Sequence, residues 1–175
     1  MFGKKIWKSE GKGTPNIKKL KKCGSNVIIE DGVRIFYPEN IEIGDNVYIG
    51  HDTILKGYYN SILTISSNVW IGQQCFFHAA GGLFIGENVG IGPKVSVLTS
   101  GHKECGIETP ILFSELEFSS TIIGEDCNIG VGAIVLPGIK IGKGSKIGAG
   151  AVVSKNISEY SVAVGVPAKI ISSRK

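Results

Sequence analysis

Large aliphatic residues recur in this chain every six positions, in triples. The heads of the triples are Ile43, Ile49, Leu55; Ile65, Ile71, Phe77; Ile85, Ile91, Val97; Ile123, Ile129, Val135; and Ile141, Ile147, Val153, after a weaker set at Cys23, Ile29, Ile35. Between triples the spacing is 8, 10, 8, 26 and 6 residues. A period of six does not hold one face of an α-helix. A flat antiparallel sheet would instead alternate in twos between hairpin turns. A solenoid with three short strands per turn satisfies the count. Each hexad is one wall, three hexads make a coil, and the heads of successive coils stack in the interior.

The other hexad positions agree. Glycine follows the head at Gly24, Gly44, Gly50, Gly72, Gly86, Gly92, Gly124, Gly130, Gly142 and Gly148, and only after the first two members of a triple. A helix carrying glycine this often would lose about 1 kcal/mol at each. At the corners of a solenoid, glycine is expected to supply backbone conformations that side chains resist. The fourth residue after the head is small or β-branched at Val47, Thr53, Val69, Cys75, Val89, Val95, Cys127, Ala133, Ser145 and Ala151, and is expected to pack inward. Coils pair about 4.8 Å apart, so six make a prism roughly 30 Å long. Parallel strands need cover on both faces. The interior covers one, so the outer walls must be polar or covered by another subunit. The expected fold is therefore an all-β parallel solenoid, over residues 23–157, with a protruding loop inserted at 98–122 and a short C-terminal cap at 158–175.

Composition bounds the function. The chain has 175 residues, one domain's worth. Its 25 glycines lack a G-X-Y repeat, which excludes collagen. No apolar run reaches membrane-spanning length and the start MFGKKIWKSE lacks an apolar signal, so a soluble cytoplasmic protein without an integral membrane segment is expected. Cys23, Cys75, Cys105 and Cys127 form no CxxC pair, which argues against a zinc ribbon; reduced, mostly buried thiols are expected. Residues 1–22 hold eight lysines and one acid, a basic N-terminal segment that reads as a solvated arm or cap. No aromatic residues interleave with basic ones in a way that points to nucleic acid.

The repeat I-G-x-x-(small)-x resembles the hexapeptide signature of left-handed parallel β-helix acyltransferases. GAIVLPGIKIGKGSKIGAGAVVSKNI (132–157) is similar to the last coils of sugar O-acetyltransferases of the maltose and galactoside type, and VAVGVPAKII (162–171) to that family's closing V-x-G-x-P-A-K-x-I. The resemblance covers residues 23–171. It implies left-handed winding, acetyl-CoA as acyl donor, a homotrimer and a site shared between subunits. Aligned on IGVGA, IGAGA and VVSKN, the family's coenzyme contacts fall on Val131, Ala149, Ser154 and Lys155, and its PAK lysine on Lys169, which would face the coenzyme phosphates.

The count of six stops at SGH, residues 100–102, and resumes at Ile123. A long excursion from a tight solenoid is characteristic of function. His102 stands at its mouth. A free imidazole titrates near pH ~6.5, so it can take a proton near neutrality. Acyl transfer from a thioester to a hydroxyl or amine needs such a base, which contributes about 10²–10⁴-fold. In the resembled family the histidine of the SGH-like element has this role. His78, following Phe77 one coil below Leu98, is a candidate for the acceptor pocket; His51 reads as solvent-facing. Zinc chemistry, known on this fold in γ-class carbonic anhydrases, is not expected, because histidine spacings of 27 and 24 put the rings on different sides.

The chain departs from the simple sugar enzymes at Asn128, where the family usually has tryptophan, at Gly72, where it has an acceptor-binding asparagine, and throughout 103–120. These departures point away from maltose and galactoside, towards an acceptor in surface polysaccharide synthesis. The reading is an acetyl-CoA-dependent O-acetyltransferase acting on a sugar hydroxyl. An N-acetyltransferase acting on a nucleotide-linked amino sugar is the alternative, with Glu104, Glu108, Glu115 and Glu117 in the loop to hold an ammonium or orient His102. A non-catalytic scaffold is disfavoured by the SGH and PAK elements.

Overall fold

The computed structural model describes Gly13 and residues 16–174; most of the basic segment, and Lys175, lie outside the described residues. The chain winds as a three-walled parallel β-helix. The first wall is built from Lys22–Cys23, Ile41–Ile43, Leu63–Ile65, Leu83–Ile85, Thr121–Ile123 and Lys140–Ile141. The second contains Val27–Ile29, Val47–Ile49, Trp70–Ile71, Gly90–Ile91, Asn128–Ile129, Lys146–Ile147 and Ser161–Val164. The third contains Arg34–Phe36, Ile54–Lys56, Phe76–His78, Ser96–Val97, Ile134–Val135 and Val152–Val153.

Register follows the hexads residue for residue. Ile43 pairs with Ile65, Ile65 with Ile85, Ile85 with Ile123 and Ile123 with Ile141. The other walls repeat this, for example Ile91 with Ile129 and Phe77 with Val97. From Ile43 to Val153 all fifteen heads are buried, together with the ten small or β-branched residues four positions on. The weaker first set shows its weakness at the open end, where Cys23 is exposed and Ile29 half-buried. At the other end Ala163 continues the column above Ile147, and Lys169–Ser173 turns back antiparallel on Ser161–Val164.

The glycines after the heads have a different cause from the one expected. None of the ten has a positive φ. The left-handed residue lies two positions further on, as Asn46 (φ 55), Asp52 (φ 58), Asn88 (φ 58), Asp126 (φ 56) or Gly132 (φ 68). Asparagine and aspartate tolerate that region better than other side chains. The glycine next to the head is required by space, because the next coil crosses directly over it: a Cβ on Gly86 would sit 2.6 Å from the Glu125 nitrogen. Three asparagines reinforce the edge, Asn26 Nδ2 donating to Asn46 Oδ1 at 2.8 Å and Asn46 Nδ2 to Asn68 Oδ1 at 3.0 Å.

The third corner lacks this tight crossing. The residues after its heads are Phe36, Lys56, His78, Leu98, Leu136 and Ser154. Freed from glycine, this corner carries the connections of varied length, including the longest.

Candidate active site

The excursion at the third corner is a hairpin. Ser100–His102 pairs antiparallel with Leu116–Phe118, with Ser100 opposite Phe118 and His102 opposite Leu116. Its base is fastened to the prism: Ser119 N donates to Thr99 O at 2.9 Å, and Thr99 Oγ1 donates to His78 O at 2.6 Å. Lys103 and Glu115 add an ion pair of 2.7 Å across the strands. That pair lifts the lysine's pKa and lowers the carboxyl's, mainly through the hydrogen bond between them.

His102 is exposed at the outer end of this strand. Its Nδ1 lies 3.3 Å from both the carbonyl oxygen and the hydroxyl of Ser114. The Ser114 hydroxyl donates its own proton to Ile111 O at 2.9 Å. It therefore accepts from His102, as the carbonyl does. Two acceptors at Nδ1 fix the proton there and leave Nε2 with a free lone pair. The arrangement suits a general base. Ser114, not one of the loop carboxylates, orients the ring; no sequence signal marks it, because its position depends on how the loop folds back.

His78 is half-buried beneath the hairpin. Its Nδ1 is 3.4 Å from Ser100 Oγ, and its ring lies 6.2 Å edge-on from Tyr58 and 6.0 Å from Phe76. His78 and His102 thus belong to one corner, linked through Ser100. His51 lies elsewhere, 3.7 Å from the Glu30 carboxylate. Among the described residues no group of three His, Cys, Asp or Glu side chains stands together as a metal cage.

The five residues assigned to the coenzyme lie on the last coils. Val131 and Ala149 are exposed at the corner between the second and third walls, where Gly150 N donates to Val131 O at 2.8 Å. Ser154 and Lys155 are exposed at the far end of the third wall. The PAK segment is laid against that wall by Ala168 N donating to Val152 O at 2.8 Å, which leaves Lys169 exposed. So Val131 and Ala149 occupy one edge of the third wall, and the histidine corner occupies the other. Arg174, near the chain end, pairs with Asp126 at 2.9 Å and donates to Gly144 O at 3.2 Å. The thiols divide: Cys75 and Cys127 are buried, Cys23 and Cys105 exposed, so only half of them meet the expectation of burial.

Residues 120–155 match the family model described as the hexapeptide repeat of succinyl-transferase. The chain is 31% identical over 160 residues to the dTDP-4-amino-4,6-dideoxy-D-glucose acyltransferase of Escherichia coli, covering 89% of this chain and 83% of that protein. A protein of Saccharomyces cerevisiae is 34% identical over 153 residues, but the chain spans only 65% of its length. Among solved structures, AntD, an N-acyltransferase from Bacillus cereus in complex with dTDP and 3-hydroxybutyryl-CoA, superposes with a TM-score of 0.80 at 26% identity, over 90% of this chain and 85% of that one. A maltose O-acetyltransferase from Clostridium difficile gives a TM-score of 0.62 at 27% identity, over 90% and 72%.

Proposed function

This chain belongs to the hexapeptide-repeat acyltransferases, and on that premise we propose that it carries an acetyl group from acetyl-CoA to a sugar hydroxyl in surface polysaccharide synthesis, with His102 as the general base. The observation that carries the proposal is the Ser114 clamp on Nδ1, which leaves Nε2 free to accept a proton. In the reaction the acceptor oxygen attacks the thioester carbonyl carbon while its proton passes to His102 Nε2. The new C–O bond forms, the C–S bond breaks, and the proton on His102 goes to the departing thiolate. Val131, Ala149, Ser154 and Lys155 would line the pantetheine path, with Lys169 facing the phosphates.

The protein would act as a homotrimer in the cytoplasm. Support for association comes from the hairpin, which carries Ile107, fully exposed, beside exposed Ile111, Leu112 and Phe113. Apolar side chains gathered on a projecting loop mark a contact surface. Each site would be completed in the groove between two prisms, bringing Val131 and Ala149 of one to the histidine corner of its neighbour.

A second reading is favoured by the comparisons: acylation of the amine of a nucleotide-linked amino sugar. The E. coli relative and AntD cover more than four-fifths of their lengths with this chain, and AntD superposes better than the maltose enzyme. Free-thiol release from acetyl-CoA, measured against sugars, nucleotide sugars and nucleotide amino sugars, separates the readings. Turnover confined to the amino sugars selects the second, and no turnover with any sugar defeats both.

A further inference from the structure

Five aromatic rings gather on the outside of the third corner, beneath the strand that carries His102. Tyr58 is the hub, its ring centroid 6.0 Å from Tyr37, 4.7 Å from Tyr59, 6.2 Å from His78 and 5.9 Å from Phe118. They come from different levels: Tyr37 from the first coil, Tyr58 and Tyr59 from the second, His78 from the third and Phe118 from the returning hairpin strand. None belongs to the interior columns. Tyr59 keeps 67% of its surface exposed and Phe118 42%.

The cluster is tied to the base by register. Ser100 and His102, two apart on one strand, point to the same face about 7 Å from each other. Phe118 and Leu116, directly opposite them, share that face. Ser100 contacts His78, and Phe118 contacts Tyr58. The face of the hairpin that presents His102 therefore continues without interruption onto the aromatic ledge. Phe118 and Tyr58 are thus the aromatic rings next along that face from His102.

We propose that this ledge is the acceptor subsite, and that it takes a pyranose by stacking the apolar C–H face of the ring on Phe118, Tyr58 and Tyr59. A sugar ring carries its hydroxyls around the rim and its apolar hydrogens on its faces. Stacking removes the face from water and leaves the rim solvated or hydrogen-bonded, so no polar group is stranded. The inference rests on the acyl-transfer reading and specifies which acceptors it admits: cyclic sugars, not acyclic alcohols or amines.

The test uses the full-length protein with acetyl-CoA, following thiol release with methyl glucopyranoside, methyl galactopyranoside and their 4-amino-4,6-dideoxy analogues, and with glycerol and serine as acyclic controls. Transfer to at least one pyranoside and to neither control is expected. Tyr59→Ala, at an exposed position that does not hold the fold, should raise the KM for that pyranoside about 3- to 10-fold, the size of one lost aromatic contact. The kcat and the KM for acetyl-CoA should stay within twofold. Tyr58→Ala should follow Tyr59→Ala. Unchanged KM values in both alanine variants overturn the proposal, as does transfer confined to the acyclic controls or absent from every pyranoside. His102→Ala separates this from the catalytic assignment. It lowers kcat, whereas the ledge variants move KM, and either effect can fail while the other stands.

Discussion

Substituting Gly86 by alanine tests why the hexad needs glycine. The residue is buried, with a negative φ, and the coil above crosses it so closely that a Cβ would lie 2.6 Å from Glu125 N and 2.8 Å from Gly124 C. Restoring ordinary contact requires the upper coil to retreat by about 0.8 Å. Two hydrogen bonds bridge the coils at this point, Gly86 N to Ile123 O and Asp126 N to Glu87 O, both 2.8 Å. A retreat of that size takes both beyond bonding range. Each is worth about 1 kcal/mol net, and the strain of overpacking adds about 1–3 kcal/mol. Alanine recovers about 0.4–1 kcal/mol through the unfolded chain. The balance is a loss of about 3 kcal/mol, or roughly 6–12 °C in melting temperature for a chain of this size. The control is Gly132→Asn: that glycine has φ +68 with nothing within 4 Å of a Cβ, and asparagine already fills the equivalent place at Asn46, Asn68 and Asn88. Its cost should be a few tenths of a kcal/mol. Thermal melts by circular dichroism at one protein concentration compare the two. If Gly132→Asn were the more damaging, the steric account of the repeat would be wrong and backbone conformation would be the controlling factor.

Two further outcomes follow from the same structure. Burial pushes the Cys75 and Cys127 thiols up in pKa. Their folded values exceed their unfolded ones, so the stability they contribute is whole below the ordinary thiol range and is lost as pH rises from there through the raised folded values. Maleimide should accordingly label Cys23 and Cys105 in the native protein and all four cysteines only after denaturation, with melting temperature falling at strongly alkaline pH; rapid native labelling of Cys127 would contradict this. Lys169→Ala should raise the KM for acetyl-CoA about tenfold, the scale of one charge-assisted contact, and leave the acceptor KM unchanged; an unchanged coenzyme KM would remove Lys169 from the donor site.

Much of the fold was legible because the solenoid is periodic in both sequence and space. Ile85 and Ile123, 38 residues apart, pair because each heads a hexad on the same wall, and counting in sixes finds them despite the insertion. The position of His102 was legible for the opposite reason, since it stands where the count fails. What was not legible depends on contacts between neighbouring coils or across the loop. The glycines look like turn residues in the sequence, and only the 2.5–2.8 Å approach of the next coil's backbone, at every one of the ten but Gly148, shows their steric purpose. Ser114 could not be singled out, because nothing local indicates that residue 114 returns to residue 102. Nothing in the spacing of Tyr37, Tyr58 and Tyr59 shows that the stacked coils bring their rings together.

The measurement that bears most directly on the account is the turnover of His102→Ala, measured by thiol release with a sugar acceptor that the unmodified protein uses, alongside sedimentation of both proteins. If His102 is the base, kcat falls about 10²- to 10⁴-fold while sedimentation stays the same. If the variant keeps more than about a tenth of the rate, the proton is removed elsewhere and the catalytic reading of the hairpin is wrong.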